Sequence, residues 1–549
     1  TLFPYTTLFR SRGDGIAEAD LLFSPQAIER FKNRDLLMLY PDTDWLDYMM
    51  KDGAWQYQHN VNVSGGSERA QYFVSVGMFD QDGLFETFDN PDTDSFKYRR
   101  YNYRANIDLK LSKYDKLSIG VGGRNENRTI IGAGESSMFG AIQSAIPMSG
   151  YGIDEEGRPI KSDPNLVGLS GRNGLDQFYR LGHVKRTTNV LNLDLAYKLD
   201  LDFITKGLYF NIKGAYNSEY TQNKDRSSGY GTGVEYIARL DPAGGVDENG
   251  LPNYIITRSK QSVTWPPGYS ESLWDTRDWY AEASFGYARK FDVHNFSALA
   301  LYNQSKKYYP SAYTDIPTGY VGFVGRVTYD YDSRYLVDFN IGYNGSENFA
   351  PGKRYGVFPS GSIGWVASNE KFWEPIQDVV SFFKVRASYG IVGNDAMGSR
   401  RFLYLPAAFS YFGGGPAFTN GSNPGTALFG LTGGNWRPGA RETAQGNEDV
   451  TWETAAKQNY GVDMKFFKNR LSVTADLFFE DRKDILVDNA TMLSSIYGMG
   501  TTPLNMGRVK NHGYELVVKW EDQVGSFWYS VAPSLSFARN EVVEMLELP

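Results

Sequence analysis

The strongest constraint on this chain is a repeating unit of about ten residues in which apolar and polar side chains alternate, recurring roughly sixteen times. In Tyr101 to Leu111, Tyr101, Tyr103, Ala105, Ile107, Leu109 and Leu111 share one face of a strand. Asn102, Arg104, Asn106, Asp108 and Lys110 share the other. One face suits lipid and the other water. Leu191 to Leu199, Tyr460 to Phe466, Leu471 to Phe479 and His512 to Trp520 follow the same rule. About ten residues tilted by about 45° cross the hydrocarbon core of a bilayer. The pattern predicts an all-β fold, an antiparallel transmembrane β-barrel.

The connections between these units alternate in length. Short turns are expected near Gly65 to Glu68, Ser112 to Asp115, Asp200 to Lys206, Lys290 to Asn295, Asp330 to Arg334, Phe467 to Arg470 and Asp522 to Ser526, with a longer one over Ser368 to Val380. Between them run Gln81 to Lys97, Asn127 to Lys185, Glu219 to Leu273, Gln304 to Thr318, Ser346 to Tyr355, Gly393 to Val450 and Asp481 to Val509. Structureless loops above about 15 residues are uncommon in compact soluble domains. Outer-membrane barrels have them on alternate connections, with short periplasmic turns and long extracellular loops. That parity makes the segment before Gln58 extracellular.

Composition agrees. Aromatic residues make up 15% of the chain, as rings at two lipid–water interfaces require. Mean hydropathy is −0.44, so no transmembrane helix is expected, and a barrel strand needs only about five lipid-facing residues. There are no cysteines, which disfavours a disulfide-stapled ectodomain. A net charge of −8 and a pI near 5.3 argue against a nucleic-acid partner.

The domain reading has three parts. Residues 1–11, TLFPYTTLFRS, read like an in-frame translation of a sequencing adapter and are set aside as a scar. Residues 12–57 are an extracellular loop-like segment with one helix expected around Pro25 to Arg34. Residues 58–549 form the barrel portion. Both ends read as cut, so the sequence is expected to be a fragment.

Several stretches resemble the SusC/RagA family of TonB-dependent outer-membrane transporters of Bacteroidetes. They are Asn60 to Glu68 (NVNVSGGSE), Tyr72 to Gly83 (YFVSVGMFDQDG), Ser333 to Gly345 (SRYLVDFNIGYNG), Tyr355 to Trp365 (YGVFPSGSIGW) and Phe383 to Asn394 (FKVRASYGIVGN). Asn447 to Asp463 (NEDVTWETAAKQNYGVD), Arg470 to Phe479 and Asn505 to Tyr514 (NMGRVKNHGY) continue the series in the family's order. The resemblance implies a barrel of about 22 strands around a plug domain. It also implies a SusD-like surface lipoprotein as lid, and energy delivered by TonB-ExbB-ExbD through a TonB box. About 16 strands are visible here, and the plug domain and TonB box are missing from the sequence. The implied place is the outer membrane of a Gram-negative bacterium, in contact with its lipid.

Little in the sequence suggests catalysis, and no cofactor is expected. His59, His183, His294 and His512 lie apart with none of the spacings that hold a metal. No nucleophile elbow, zinc-protease helix or phosphate loop occurs. Asp154-Glu155-Glu156-Gly157 and Asp247-Glu248-Asn249-Gly250 do not follow a calcium-loop spacing and read as β-turns. Trp265, Tyr411, Phe412 and Trp436 fall in the longest connections, where rings can stack on sugars, grip a peptide or pack the loops and lid. Arg104, Asp108, Asp194 and Asp463 are lumen candidates, shaping the passage or hydrogen-bonding a plug.

The favoured function is TonB-dependent import of a nutrient, an oligosaccharide or peptide, under a SusD-like lid. The alternatives are a passive porin, a siderophore or cobalamin receptor, and a soluble glycan-binding β-protein whose apolar face would be buried between two sheets.

Overall fold

The computed structural model describes residues 24–88, 96–131, 134–167, 175, 182–227, 235–260, 268–310, 315–396, 400–406, 410–411, 426–429, 435–438, 440–441, 446–487 and 503–545. Its main body is one antiparallel sheet in which each strand but the last two pairs with the next in sequence. The strands are β1 (Gln56–Gly66), β2 (Ala70–Asp82), β3 (Lys97–Lys110), β4 (Asp115–Ile131), β5 (Gly182–Asp200) and β6 (Leu208–Ser227). There follow β7 (Ser270–Phe291), β8 (His294–Tyr308), β9 (Thr318–Tyr331), β10 (Tyr335–Ser346), β11 (Tyr355–Val366) and β12 (Val380–Asn394). The series ends with β13 (Glu453–Phe466), β14 (Leu471–Val487), β15 (Leu504–Val524), β16 (Phe527–Val531) and β17 (Ser534–Glu544). The last two both pair with β15 and are one strand interrupted at Ala532-Pro533, where proline has no N–H to give the ladder. Sixteen crossings result among the described residues.

The connections keep their parity throughout. Residues 67–69, 111–114, 201–207, 292–293, 332–334, 367–379, 467–470 and 525–526 close one end. The strand ends that flank residues 83–96, 132–181, 228–269, 309–317, 347–354, 395–452 and 488–503 lie at the other. The first turn falls one step later than its glycines suggest: Gly65 and Gly66 still belong to β1. A Cβ on Gly66 would sit 2.5 Å from the Ala70 carbonyl oxygen, so close backbone approach explains that glycine. The Ser67 hydroxyl then holds the turn by accepting from the amides of Arg69 and Ala70.

Several strands exceed the ten-residue unit. β6 has 20 residues and β7 has 22, with unbroken pairing from Tyr287↔Leu208 to Ser270↔Asp225. The added residues lie toward the long connections, where both faces meet water and alternation has no reason to continue. Paired backbone groups are satisfied whatever the side chains do, so the ladder runs on.

Register assigns the two faces. On β10, Tyr335, Val337, Phe339, Ile341 and Tyr343 are exposed, while Leu336, Asp338, Asn340 and Asn344 on the other face are half-buried. They stand opposite Trp365, Ile363, Gly361, Pro359 and Val357 of β11, which extend the same apolar surface. Aromatic pairs cross it: Tyr302–Phe323, Phe210–Phe285 and Tyr343–Tyr355 have ring centroids 4.8 to 4.9 Å apart. A soluble sandwich would bury this face; here it points outward.

The hydrophobic cores lie instead among the long connections. Helix α1 (Pro25–Asn33) is capped by the Ser24 hydroxyl and starts on a proline, and Asp44 caps α2 (Trp45–Met49). Trp45, Met49, Phe85, Ile131, Met138 and Ile142 form one cluster. Ala27, Leu36, Leu39, Ile160 and Ala238 form a second around a four-stranded sheet of Gly150–Ile153, Pro159–Lys161, Glu235–Leu240 and Tyr254–Lys260. Phe349, Val450 and Trp452 form a separate cluster over the later strands. No helix among the described residues is long and apolar enough to cross a membrane.

β1 and β17 are not paired with each other, and the residues of both are exposed throughout. The sheet is an open, incomplete barrel.

Candidate functional site: the lumen wall and its cap

The concave face of the sheet carries the polar half of each alternation. Its best-built feature is Arg386 on β12. Lys384, Arg386 and Ser388 alternate with Val385, Ala387 and Tyr389, and Tyr389 is exposed on the lipid side. Arg386 lies across from Gly461 of β13, where a Cβ would come within 2.5 Å of the guanidinium carbon. The missing side chain lets the guanidinium lie flat on the neighbouring strand. It donates to Asp463 at 3.1 Å, to Asn459 at 3.2 Å and to Asp476 of β14 at 2.7 Å. Three strands are thereby tied by one cation through charge-assisted bonds, the shortest of them to Asp476.

Arg386 and Asn459 also line a cleft of about 820 Å³ on this wall, together with Lys290, Ser297, Asp338 and Lys384. A second cleft of about 530 Å³ shares Asp338 and Asn459 and reaches Glu480 and Asn511. The trough is rich in donors and acceptors of both charges. Oδ1 of Asn303, Asp476 and Asn511 is buried on this face without a hydrogen-bond partner.

All four lumen candidates lie on this concave face, in two sectors. Arg104 and Asp108 on β3 and Asp194 on β5 form the first. Arg104 donates to the Asn106 side chain, and Asp108 accepts from the Ser118 hydroxyl at 2.5 Å and pairs with Lys116 at 3.1 Å. Asp194 faces Gly120, whose Cβ would meet it at 3.3 Å. Asp463 belongs to the Arg386 cluster in the second sector. Sequence reasoning missed Arg386 and Asp476, although the alternation in FKVRASYG carried the signal for Arg386.

The loop candidates divide differently. Trp265 and Phe412 lie outside the described residues. Tyr411 and Trp436 both belong to connection 395–452, in the strand pairs Ser410–Tyr411 with Ala440–Arg441 and Thr426–Phe429 with Asn435–Pro438. Both acidic stretches are turns. Asp154 accepts from the backbone and side chain of Arg158 at 2.7 Å, and that bond raises the Arg158 pKa above its ordinary value. Asp247 accepts from the amides of Asn249 and Leu251.

The cap is tied together by polar contacts as well as apolar ones. Trp45 Nε1 donates to the Ile146 carbonyl at 3.0 Å, and the Ile153 amide donates to the Tyr48 hydroxyl at 2.8 Å. These link the segment before β1 to connection 132–181. On the other side, buried Arg401 donates to the carbonyls of Ile316 and Pro317 and pairs with Glu347, joining three connections. Burial raises the pKa of Tyr40, which packs in the second cluster with Leu36 and Leu39.

An outward apolar face, a polar lumen and a folded cap on one end define an outer-membrane receptor-type β-barrel. Comparison with known proteins narrows this. The family model "TonB dependent receptor-like, beta-barrel" matches residues 142–543, and the chain belongs to that family. TonB-dependent receptor P3 of Formosa agariphila is 26% identical over 518 residues, covering 92% of this chain and 47% of its own length. TonB-dependent receptor SusC of Bacteroides thetaiotaomicron is 23% identical over 546 residues, covering 92% and 48%. Among solved structures, the RagAB peptide importer in its open-open state superposes with a TM-score of 0.67 at 18% identity. It covers 99% of this chain and 58% of that one, and at that identity it supports the fold. The relatives are thus of the SusC/RagA kind that the motifs indicated, and receptor barrels of this kind are outer-membrane proteins. The chain spans about half the length of the curated relatives it matches.

Proposed function

We propose that the chain is the barrel of a TonB-dependent importer that takes up an oligosaccharide or a peptide across the outer membrane. The observation that carries this reading is the lumen wall. It is a wide trough lined by polar and charged side chains, enclosed by a lipid-facing sheet and topped by folded connections. A wall of this kind suits a protein plug, whose backbone and side chains would hydrogen-bond the polar groups that line the two clefts, Lys290, Asp338, Lys384 and Glu480 among them. Arg104, Asp108, Asp194 and Asp463 then serve as plug contacts or passage walls. Tyr411 and Trp436, with Trp265 and Phe412, serve in substrate or lid contact. A SusD-like lipoprotein would close the cap, and TonB-ExbB-ExbD would act through the plug. The work is mechanical: binding equally accessible from both sides shifts no equilibrium, so net uptake needs the energy that TonB supplies. The extracellular segment before β1 and the barrel after it form two units of this reading.

The test is uptake by a strain lacking the gene, complemented with the parent reading frame and fed oligosaccharide mixtures or peptide digests. Growth restored on one class, and lost on depleting TonB, is the expected result. Growth that persists without TonB would identify a passive pore. Restoration only on an iron chelate or cobalamin would make it a receptor for those cargoes.

A further inference from the structure

The lipid-facing row of β7 reads Phe291, Arg289, Tyr287, Phe285, Ala283, Ala281, Trp279, Arg277. Only two of these carry charge, and they are twelve residues apart. At about 3.4 Å per residue and a tilt near 45°, that separation is ~29 Å along the membrane normal, the thickness of the hydrocarbon core. Arg289 and Arg277 therefore bracket the apolar band, with Arg277 at the rim next to the long connections.

Arg277 is not alone there. Register sets it opposite Tyr308 of β8 and sets Trp279 opposite Lys306, so all four side chains share one patch of the outer face. The Arg277 guanidinium lies 4.7 Å from the Tyr308 ring centroid and 5.8 Å from that of Tyr309. The Lys306 ammonium lies 5.5 Å from the Tyr308 ring. Two cations thus converge on one ring, and neither has an ion pair among the described residues. The acidic groups near this patch are Asp275, two residues along β7, Glu271, which accepts from Tyr269 and Gln222, and Glu347 beside Gly319 across from Lys306, which is paired with Arg401. An aromatic ring orients the cations and leaves their positive charge unneutralised. Directly below, Ala281 stands opposite Gly214 on β6, where a Cβ would meet nothing within 4 Å, and Ala283 follows it. The small residues make a shallow trough in the lipid-facing surface, bordered by Tyr302 opposite Ala283.

We propose that Arg277 and Lys306 form a site for the phosphate of an outer-leaflet lipid, whose acyl chain lies along Gly214, Ala281 and Ala283. Two converging cations complement a phosphate's charge, and arginine's planar fork matches its oxygens. The site rests on the orientation that places the long connections outside the cell, but not on which nutrient is imported.

The protein of the parent reading frame, purified in detergent micelles, would be titrated with bis-phosphorylated lipid A and with its dephosphorylated form, and bound lipid counted by native mass spectrometry. The double variant Arg277→Gln/Lys306→Gln is expected to bind the phosphorylated lipid about tenfold more weakly, as loss of charge-assisted bonds implies. Lys307→Gln removes one charge from the neighbouring lumen-facing position and is expected to bind as the parent does. Circular dichroism and heat-modified gel mobility confirm that each variant is folded. Equal binding of the dephosphorylated lipid, an equal loss in Lys307→Gln, or no binding by the parent would overturn the site. Failure of TonB-dependent uptake would leave this result unchanged, so the two readings fail separately.

Discussion

Arg386 shows how a single residue can hold a curved wall together. Its three partners lie on two successive strands, and the flat pose depends on Gly461 having no side chain. Replacing Arg386 with alanine leaves Asp463 and Asp476 facing each other without a cation. The expected cost is about 1.5–3 kcal/mol, read in the protein of the parent reading frame as a lower temperature for loss of heat-modified gel mobility. Gly461→Val should produce a similar loss by displacing the guanidinium, and an unchanged transition in both variants would refute the role. Glu370, in the turn 367–379, gives a pH-dependent counterpart. Its carboxyl is held below its ordinary value by hydrogen bonds from Tyr335, Trp365 and Arg334. A depressed carboxyl stabilises the fold above its unfolded value of 4.5, and the contribution is lost as pH falls through the lowered folded value. Amide protection factors in 367–379, corrected for intrinsic exchange, should therefore fall on acidification below pH 4.5, and Glu370→Gln should abolish that dependence.

At the scale of elements, the period-two alternation made the strands legible, because each crossing has lipid on one side and water on the other. The prediction that belongs here sets two neighbours against each other. Phe339 is exposed on the lipid face of β10, and Asn340 is on the lumen face. An arginine at Phe339 should cost about 2–4 kcal/mol in a bilayer, while an arginine at Asn340 should be tolerated. The yield of heat-modifiable, membrane-inserted protein measures both, and equal yields would contradict the face assignment. What the sequence hid has a physical reason too. Strand ends beyond the bilayer lose alternation, so β6 and β7 looked shorter than they are. The cap was hidden because its cores join residues far apart in the chain: Ala27 packs with Ile160 and Ala238, a combination no local pattern announces. Arg386 stood in a readable alternation but gave no sign of its partners, since register across three strands decides which carboxylates it meets.

For the whole molecule, the open sheet has direct consequences. β1 and β17 present unpaired backbone groups along their length, and a flat unpaired edge recruits other strands. The chain expressed alone should associate through these edges. Size-exclusion with light scattering in detergent would report it, and a stable monomer whose β1 and β17 amides are protected from exchange would argue for closure.

The separation of cores from crossings also orders events in time. The sheet gains its stability from backbone pairing inside a membrane, whereas the cap gains it by removing Trp45, Met49, Leu39 and Phe349 from water. The cap's pieces are brought within reach of each other only when strands far apart in the chain have found their register. Its assembly is therefore the late step of biogenesis, completed on the cell surface, where no ATP-driven chaperone can repair it. A receptor built this way exposes its recognition surface only after its wall is finished.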